Sequence, residues 1–403
     1  MNTRLQRNIW LLYLYCFLFT SLILIPVIVP FFESRGLSLA EVFYLQASFA
    51  LFVVLFEVPS GYIADLLGRK NALVAGALFH GAGFTWVYFA DGFADLLIFE
   101  FLMGIAISLM SGADLSLLYD TQEALEQSTE DKTRGIANMR FAKSVAEGVS
   151  ALLSGWMIMY SMDAVVIANA VVGWLPLVVS VFLTEAPFVK MEKGQTWQNL
   201  SGIVGHLLFG ERLLRYVVLA IMFWGLSTFY VVWMLQPYWA DQGVPLTLFG
   251  ILWAAQSFLF AFATRITLPL EKKFGAAPLL IAMALLPVAG YLGMATLGGV
   301  IGILASFLFF ASRGINQVLL TDALNRRVPS SFRSTANSMS SLGFRLVYII
   351  TGPLVGLSLD GFGLYATLAL LGIASLVLMV VLLPPLLREV RMVERKVPVA
   401  AAP

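Results

Sequence analysis

Cysteine and histidine are nearly missing from this chain, and charge is scarce. Cys16 is the only cysteine among 403 residues, which excludes an internal disulfide and a cysteine-based metal site. With two histidines in all, no His or Cys cluster accompanies the acids, so the sequence is not expected to be a membrane-embedded enzyme. No Gly-rich phosphate loop, metal-ligand spacing or nucleophile elbow occurs, which removes ATP-driven work within the chain and leaves no cofactor to expect. Charged residues make up 12%, against roughly 25% in soluble domains. A net charge of +1 argues against a nucleic-acid partner.

What fills the space is apolar: 60% hydrophobic residues and a mean hydropathy of +0.87. Most of the chain must therefore face lipid or other apolar helices. A spanning helix needs about 20 apolar residues, and unsatisfied backbone is too costly in lipid for anything but helices at this length. Apolar runs broken by turns predict twelve spans, near 9–31, 41–64, 71–90, 95–119, 136–160, 164–184, 212–236, 247–268, 277–297, 300–321, 335–357 and 363–386. The run after Met1 to Arg7 has no small-residue cleavage pattern and reads as the first span.

The basic residues give the orientation. With the N-terminus in the cytoplasm, Arg35 alone falls in an external loop, and Lys143, Arg313 and Arg345 fall inside spans. Every other Lys and Arg lies on the cytoplasmic side. Both termini are then cytoplasmic in a multi-pass protein, which is expected to sit in the cytoplasmic (inner) membrane and to be a monomer. The expected fold is all-α and integral to the membrane, with twelve transmembrane helices in two pseudo-symmetric six-helix bundles. These are 1–184 and 212–386, joined by a cytoplasmic linker 185–211 and followed by a tail 387–403. Within the linker, Trp197, Leu200, Val204, Leu207 and Leu208 recur at helical spacing, as an interfacial helix would require; a plain connection is the alternative. An internal repeat supports the halves. Arg134 to Asn138 parallels Arg333 to Asn337, and Leu118-Tyr119-Asp120 parallels Leu320-Thr321-Asp322.

Ionisable groups inside spans cost about 2.5–3.5 kcal/mol on insertion scales, so each needs a partner or a wet cavity. The fourth span carries Glu100 and Asp114, and the fifth carries Arg140, Lys143 and Glu147 on one helical face with Ser144. An Asp114–Arg140 or Asp114–Lys143 pair is geometrically reasonable. Either these groups line a cavity where an acid exchanges its cation for a proton, or they form a fixed network locking two helices. Arg313 and Arg345 fall mid-span in the second half with no acid of that half at similar depth. With Asn316 they are candidates to hold an anionic or zwitterionic solute, unless they pair with Glu147 or Asp114. Glu57, just before Pro59, is a gate residue or a support for a kink. His80 reads as an interhelical hydrogen bonder.

Gly61-Tyr62-Ile63-Ala64-Asp65-Leu66-Leu67-Gly68-Arg69-Lys70 is a short charged turn between two long apolar runs. Its pattern, G-x-x-x-D-x-x-G-R/K-R/K, resembles the loop between helices 2 and 3 of the major facilitator superfamily, and Glu271 to Gly275 is a degenerate echo in the second half. The resemblance covers essentially the whole chain. It implies a solute site near the midplane between the halves. It also implies a gate role for Gly61, Asp65, Gly68, Arg69 and Lys70 in stabilising the outward-facing state, with Asp65 meeting the helix start near Ser334 to Asn337. The chain departs from the family's proton-coupled exporters at two places. Glu100 stands where many of them carry an arginine four residues before a glycine (here Gly104), and no Gly-Pro pair lies near Gly148, although Gly352-Pro353 occurs in the eleventh span. The expected function is secondary transport of a small organic solute by alternating access in the lipid bilayer. Proton-coupled efflux by antiport is the first reading. Uptake of an organic anion or zwitterion, by proton symport or facilitated diffusion, is the alternative. A non-transporting receptor or scaffold would be expected to carry long soluble tails, and this chain has almost none.

Overall fold

The computed structural model describes residues 2–187, 212–328 and 333–396, with helices and no strands among them. The linker helix expected over 197–208 and the end of the tail lie outside the described residues. In chain order the helices are α1 (Asn2–Thr20), α2 (Ile28–Ser34), α3 (Leu39–Leu67), α4 (Arg69–Phe89), α5 (Phe93–Met110), α6 (Ala113–Ala124) and α7 (Thr129–Met157). They continue with α8 (Met162–Val181), α9 (Arg212–Asp241), α10 (Phe249–Phe274), α11 (Ala276–Thr296), α12 (Gly299–Arg327) and α13 (Arg333–Lys396).

Local chemistry starts several of them. Ser38 and Glu41 form a capping box at α3, with Ser38 N–H donating to Glu41 at 2.8 Å and Glu41 N–H to the Ser38 hydroxyl at 3.2 Å. Ser128 and Ser161 are simple N-caps of α7 and α8, their hydroxyls accepting the Asp131 and Ala164 N–H groups.

Among the described residues, ten helical stretches are long and apolar enough to cross a membrane. One of them, Ala336–Met392, is 57 residues long and accounts for two expected spans. At about 1.5 Å per residue a straight helix of that length would reach roughly 85 Å, far beyond a bilayer. The chain turns back at Gly363 (φ 78°), and a 2.9 Å hydrogen bond between the Ser358 and Thr367 hydroxyls, nine residues apart, records the reversal. The remaining expected span, the fifth, corresponds to α7, which has 29 residues but too many charges to register as apolar.

Two expected spans are broken. The first divides at a 3-10 turn containing Pro26; the Leu24 N–H is met by the buried Asn169 side-chain oxygen at 2.9 Å, because a backbone donor freed inside a membrane needs a partner. The fourth divides at Gly112 (φ 82°), so that α6 begins within that apolar stretch with Asp114 in its first turn.

The chain divides into two compact units. Unit 1 is Met1–Glu192 with Trp239–Ser257, and unit 2 is Lys193–Tyr238 with Phe258–Pro403. In unit 1 the start of α10 packs on α7 where two backbones nearly touch: a Cβ on Gly250 would lie 2.6 Å from the Gly155 nitrogen. An apolar cluster around Leu12, Tyr15, Leu73, Leu109 and Leu117 forms the interior. Unit 2 closes around Leu214, Trp224, Met283, Leu320 and Leu386. Large apolar side chains also cover the outside, as on α8 (Val171, Val178, Val181) and α13, which is the surface a lipid solvent requires.

Candidate functional site

Unit 1 buries a small charged assembly. Asp114 sits at the start of α6, where the exposed helix N–H groups favour an anion, and its Oδ1 accepts from the Leu115 N–H at 2.7 Å. Its other oxygen accepts from Lys143 Nζ of α7 at 2.7 Å and from the Cys16 thiol of α1 at 3.7 Å. The Asp114 side chain is 6% exposed and that of Lys143 30%. Of the two pairings the spacing allowed, Lys143 is the one formed. Arg140, Ser144 and Glu147 are exposed on the same stripe of α7, while Phe141, Val145, Leu152 and Trp156 expose an apolar stripe on another face. One helix thus presents two open faces of opposite chemistry, and only the second suits lipid.

Glu100, buried on α5, accepts from the Gln46 amide of α3 at 2.7 Å and makes no ion pair with a described residue. His80 meets the Gly173 carbonyl at 2.9 Å and stacks on Phe19, as an interhelical bonder does; the carbonyl can only accept, so Nδ1 carries the proton. Glu57 is half-buried on α3, and the Ser60 hydroxyl beside Pro59 donates to its carbonyl at 3.0 Å.

The gate motif is described in part, since the surroundings of Gly61 and the side chains of Asp65 and, in the expected docking partner, of Ser334 and Thr335 lie outside the described residues. Gly68 (φ 95°) ends α3 and starts α4 without a capping side chain of its own. The cap comes from Glu185, just beyond α8, whose oxygens accept the Arg69 N–H at 3.0 Å and the Lys70 N–H at 2.9 Å. The Arg69 guanidinium pairs with Asp120 of α6 and donates to the Ser116 carbonyl at 2.9 Å; the Lys70 ammonium donates to the Val181 carbonyl at 3.1 Å. Asn8 of α1 extends the lattice to Thr121 and Thr184. Glu185 and Asp120 are contacts of the motif that sequence reasoning did not assign to it. Asp120 carried a signal in its repeat partner Asp322; Glu185 carried none, standing where a linker was expected to begin.

Glycine is needed at 68 twice over, for the left-handed backbone and because a Cβ there would lie 2.6 Å from a Glu185 oxygen. Glu185→Ala should cost about 1–2 kcal/mol of stability, the upper range for a lost helix cap. Gly68→Ala should cost more, and its penalty should shrink in the Glu185→Ala background. Thermal unfolding of the four proteins of that cycle checks this; strict additivity would show that the two positions do not meet.

Unit 2 holds a cavity of about 340 Å³ between α9, α12 and α13. Thr228, Arg313, Asn316, Gln317, Thr321, Asn337, Ser340 and Ser341 supply a polar lining, and Ile221, Phe229 and Phe344 an apolar one. Arg313 is exposed to it and lies 5.8 Å from the Phe260 ring of α10, a cation–π distance. Arg345 is one turn beyond Ser341 on the same face of α13 and is not part of the lining. Behind Phe229, Tyr230 stacks on Tyr348 and meets the Thr351 hydroxyl, which fixes the wall. The cavity therefore contains two of the three second-half candidates, Arg313 and Asn316.

A polytopic helical membrane protein with charge pairs inside its spans and a polar, solute-sized cavity has the make-up of a membrane transporter. The chain belongs to the Major Facilitator Superfamily, whose family model matches residues 9–341. It is 22% identical over 375 residues to an uncharacterized MFS-type transporter, YxaM of Bacillus subtilis (strain 168), covering 87% of this chain and 89% of that one. Among solved structures, the nucleoside transporter NupG superposes with a TM-score of 0.76 at 13% identity, over 96% of this chain and 99% of that one. A D-xylose-proton symporter gives a TM-score of 0.69 at 16% identity, over 91% and 95%. At those identities the structures share the fold. The protein is accordingly a multi-pass membrane transporter of this superfamily.

Proposed function

We propose that the chain couples proton movement to the passage of a small organic solute with an anionic or zwitterionic group, by alternating access. The observation that carries this reading is the polar cavity of unit 2 with Arg313 in its lining, set within stretches apolar enough to span the bilayer. A volume of about 340 Å³ suits a small solute, at the low end of ligand pockets, and a guanidinium on an aromatic face is a receptor for carboxylate or phosphate. Asp114 and Glu100 are the coupling carboxylates, with Glu147 and Glu57 as further acids. A proton on Asp114 removes the charge that holds Lys143, so protonation and the α6–α7 contact are linked, and any state in which that contact differs is biased by pH. Arg140, on the exposed polar stripe of α7, and Arg345, next to the cavity, serve solute charge or gating. Gly61, Asp65, Gly68, Arg69 and Lys70 form the conformational gate.

Efflux by proton antiport is the first reading of direction. Arg313 also favours a second, because an anion taken up against an inside-negative potential needs a compensating proton, and a proton symporter is among the structures that share this fold. Reconstituted vesicles with a trapped pH dye separate the two. A solute found by a thermal-shift screen of organic acids, zwitterions and cations, since bound ligand raises melting with occupancy, is added outside. Antiport makes the lumen more alkaline, symport makes it more acid, and solute entry with no pH change refutes proton coupling.

A further inference from the structure

A second cavity, about 700 Å³, lies away from the solute cavity, where α9 begins and α13 ends. Four arginines line it, Arg212, Arg215, Arg388 and Arg391, against the single acid Glu389. Arginines at a cytoplasmic boundary are ordinary for orientation, but these converge on one hollow, and Arg215 Nε is buried with no hydrogen-bond partner among the described residues. A buried guanidinium N–H left in that state calls for an acceptor. The excess of cations over acids calls for an anionic one.

The surface beside the cavity says what kind. On α13, positions 373, 377, 381, 384, 388 and 391 are all exposed and fall within an arc of about 80° at 3.6 residues per turn. The first three are Ile373, Val377 and Val381, and the last two are the cavity arginines. Apolar and cationic groups therefore share one stripe, with Arg388 about 10 Å beyond Val381 along the axis, the depth of a headgroup layer. Tyr216, also in the lining, is of the type that settles at this level. A soluble anion would use the arginines and leave the stripe idle. A phospholipid uses both, its acyl chains along Ile373 to Val381 and its phosphate over the arginines.

We propose that this cavity binds the headgroup of an anionic phospholipid. The shared chemistry is a phosphate oxyanion; the lipid is the source that the continuous stripe selects.

The test is native mass spectrometry of the purified full chain carrying phosphatidylglycerol or phosphatidylcholine of matched acyl chains. Phosphatidylglycerol should be retained at least tenfold better. Arg388→Gln or Arg391→Gln should each lower that retention about fivefold, and the double variant about 25-fold, from the contribution of a single basic residue near a charged membrane surface. Arg388→Lys, which keeps the charge, should retain most of it and shows that any loss is not misfolding. Arg4→Gln, an exposed basic residue of unit 1, should change nothing. Three results overturn the proposal: unchanged preference in the double variant, an equal loss in Arg4→Gln, or complete displacement of the lipid preference by millimolar inorganic phosphate, which would mark a site for small anions.

Discussion

Asp114→Asn is expected to reduce proton-driven flux by at least a hundredfold while leaving solute exchange across the membrane intact. The substitution preserves size and fixes the side chain neutral, and its single oxygen can serve the Leu115 N–H or Lys143 but not both as the two carboxylate oxygens do. A carrier that can no longer cycle between charged and uncharged forms can still reorient with solute bound, so counterflow persists when accumulation does not. Stability should also fall. Removing one partner of a fully buried ion pair costs about 3–5 kcal/mol, and the partial exposure of Lys143 should bring the loss toward the lower end or below it. Adding Lys143→Gln removes the orphaned cation. The double variant should recover much of the lost stability and none of the driven flux. If instead flux per folded molecule is normal in Asp114→Asn and only the melting temperature drops, the pair is a lock between α6 and α7 and has no part in coupling. Measuring flux, counterflow and melting on the same preparations separates these outcomes.

The parts of this molecule that were legible in its sequence are those governed by one-dimensional statistics. Apolar run length gave the helices, and the same logic identifies α7 as a span only by context, since Arg140, Lys143 and Glu147 dilute its apolarity. The breaks were not legible. An unbroken apolar reading of 95–119 hides the turn at Gly112, because a glycine in a hydrophobic run looks the same whether the helix passes through it or stops. That turn matters for the site, since it places Asp114 at a helix start instead of mid-helix, where no backbone N–H groups would be free to receive it. Pairing was legible only where spacing restricted it. Helical periodicity narrowed the partner of Asp114 to Arg140 or Lys143, whereas Gln46 as the partner of Glu100, and Glu185 as the cap of α4, depend on how helices distant in sequence pack. The repeat was legible as sequence and diverges as structure: Asp120 pairs with Arg69 across helices, but Asp322 pairs with Arg326 one turn along its own helix at 2.6 Å. The aspartate of the sequence repeat is thus used differently at its two positions.

Arg313→Gln is the second variant from which a large effect is expected. A hydrogen bond between a guanidinium and a carboxylate contributes about 1.5–3 kcal/mol, so the half-saturating concentration of an anionic solute should rise roughly 10- to 100-fold. Flux at saturation should change much less, because the lost contact holds solute in every loaded state. Arg313→Lys should fall between, keeping the charge and losing the planar fork and much of the stacking on Phe260. Asn316→Ala, which removes a neutral partner from the same lining, should cost only about fivefold. The charge on the solute then becomes readable in the energetics. One-for-one exchange of a monoanion for a proton moves two charges through the field, about 4.6 kcal/mol per 100 mV, whereas symport of the same pair moves none. Flux that steepens with an imposed potential indicates antiport of an anion, and flux indifferent to it indicates symport. Should Arg313→Gln leave the half-saturating concentration of every transported solute unchanged, the cavity of unit 2 is not where solute charge is held, and the proposed solute class falls with it.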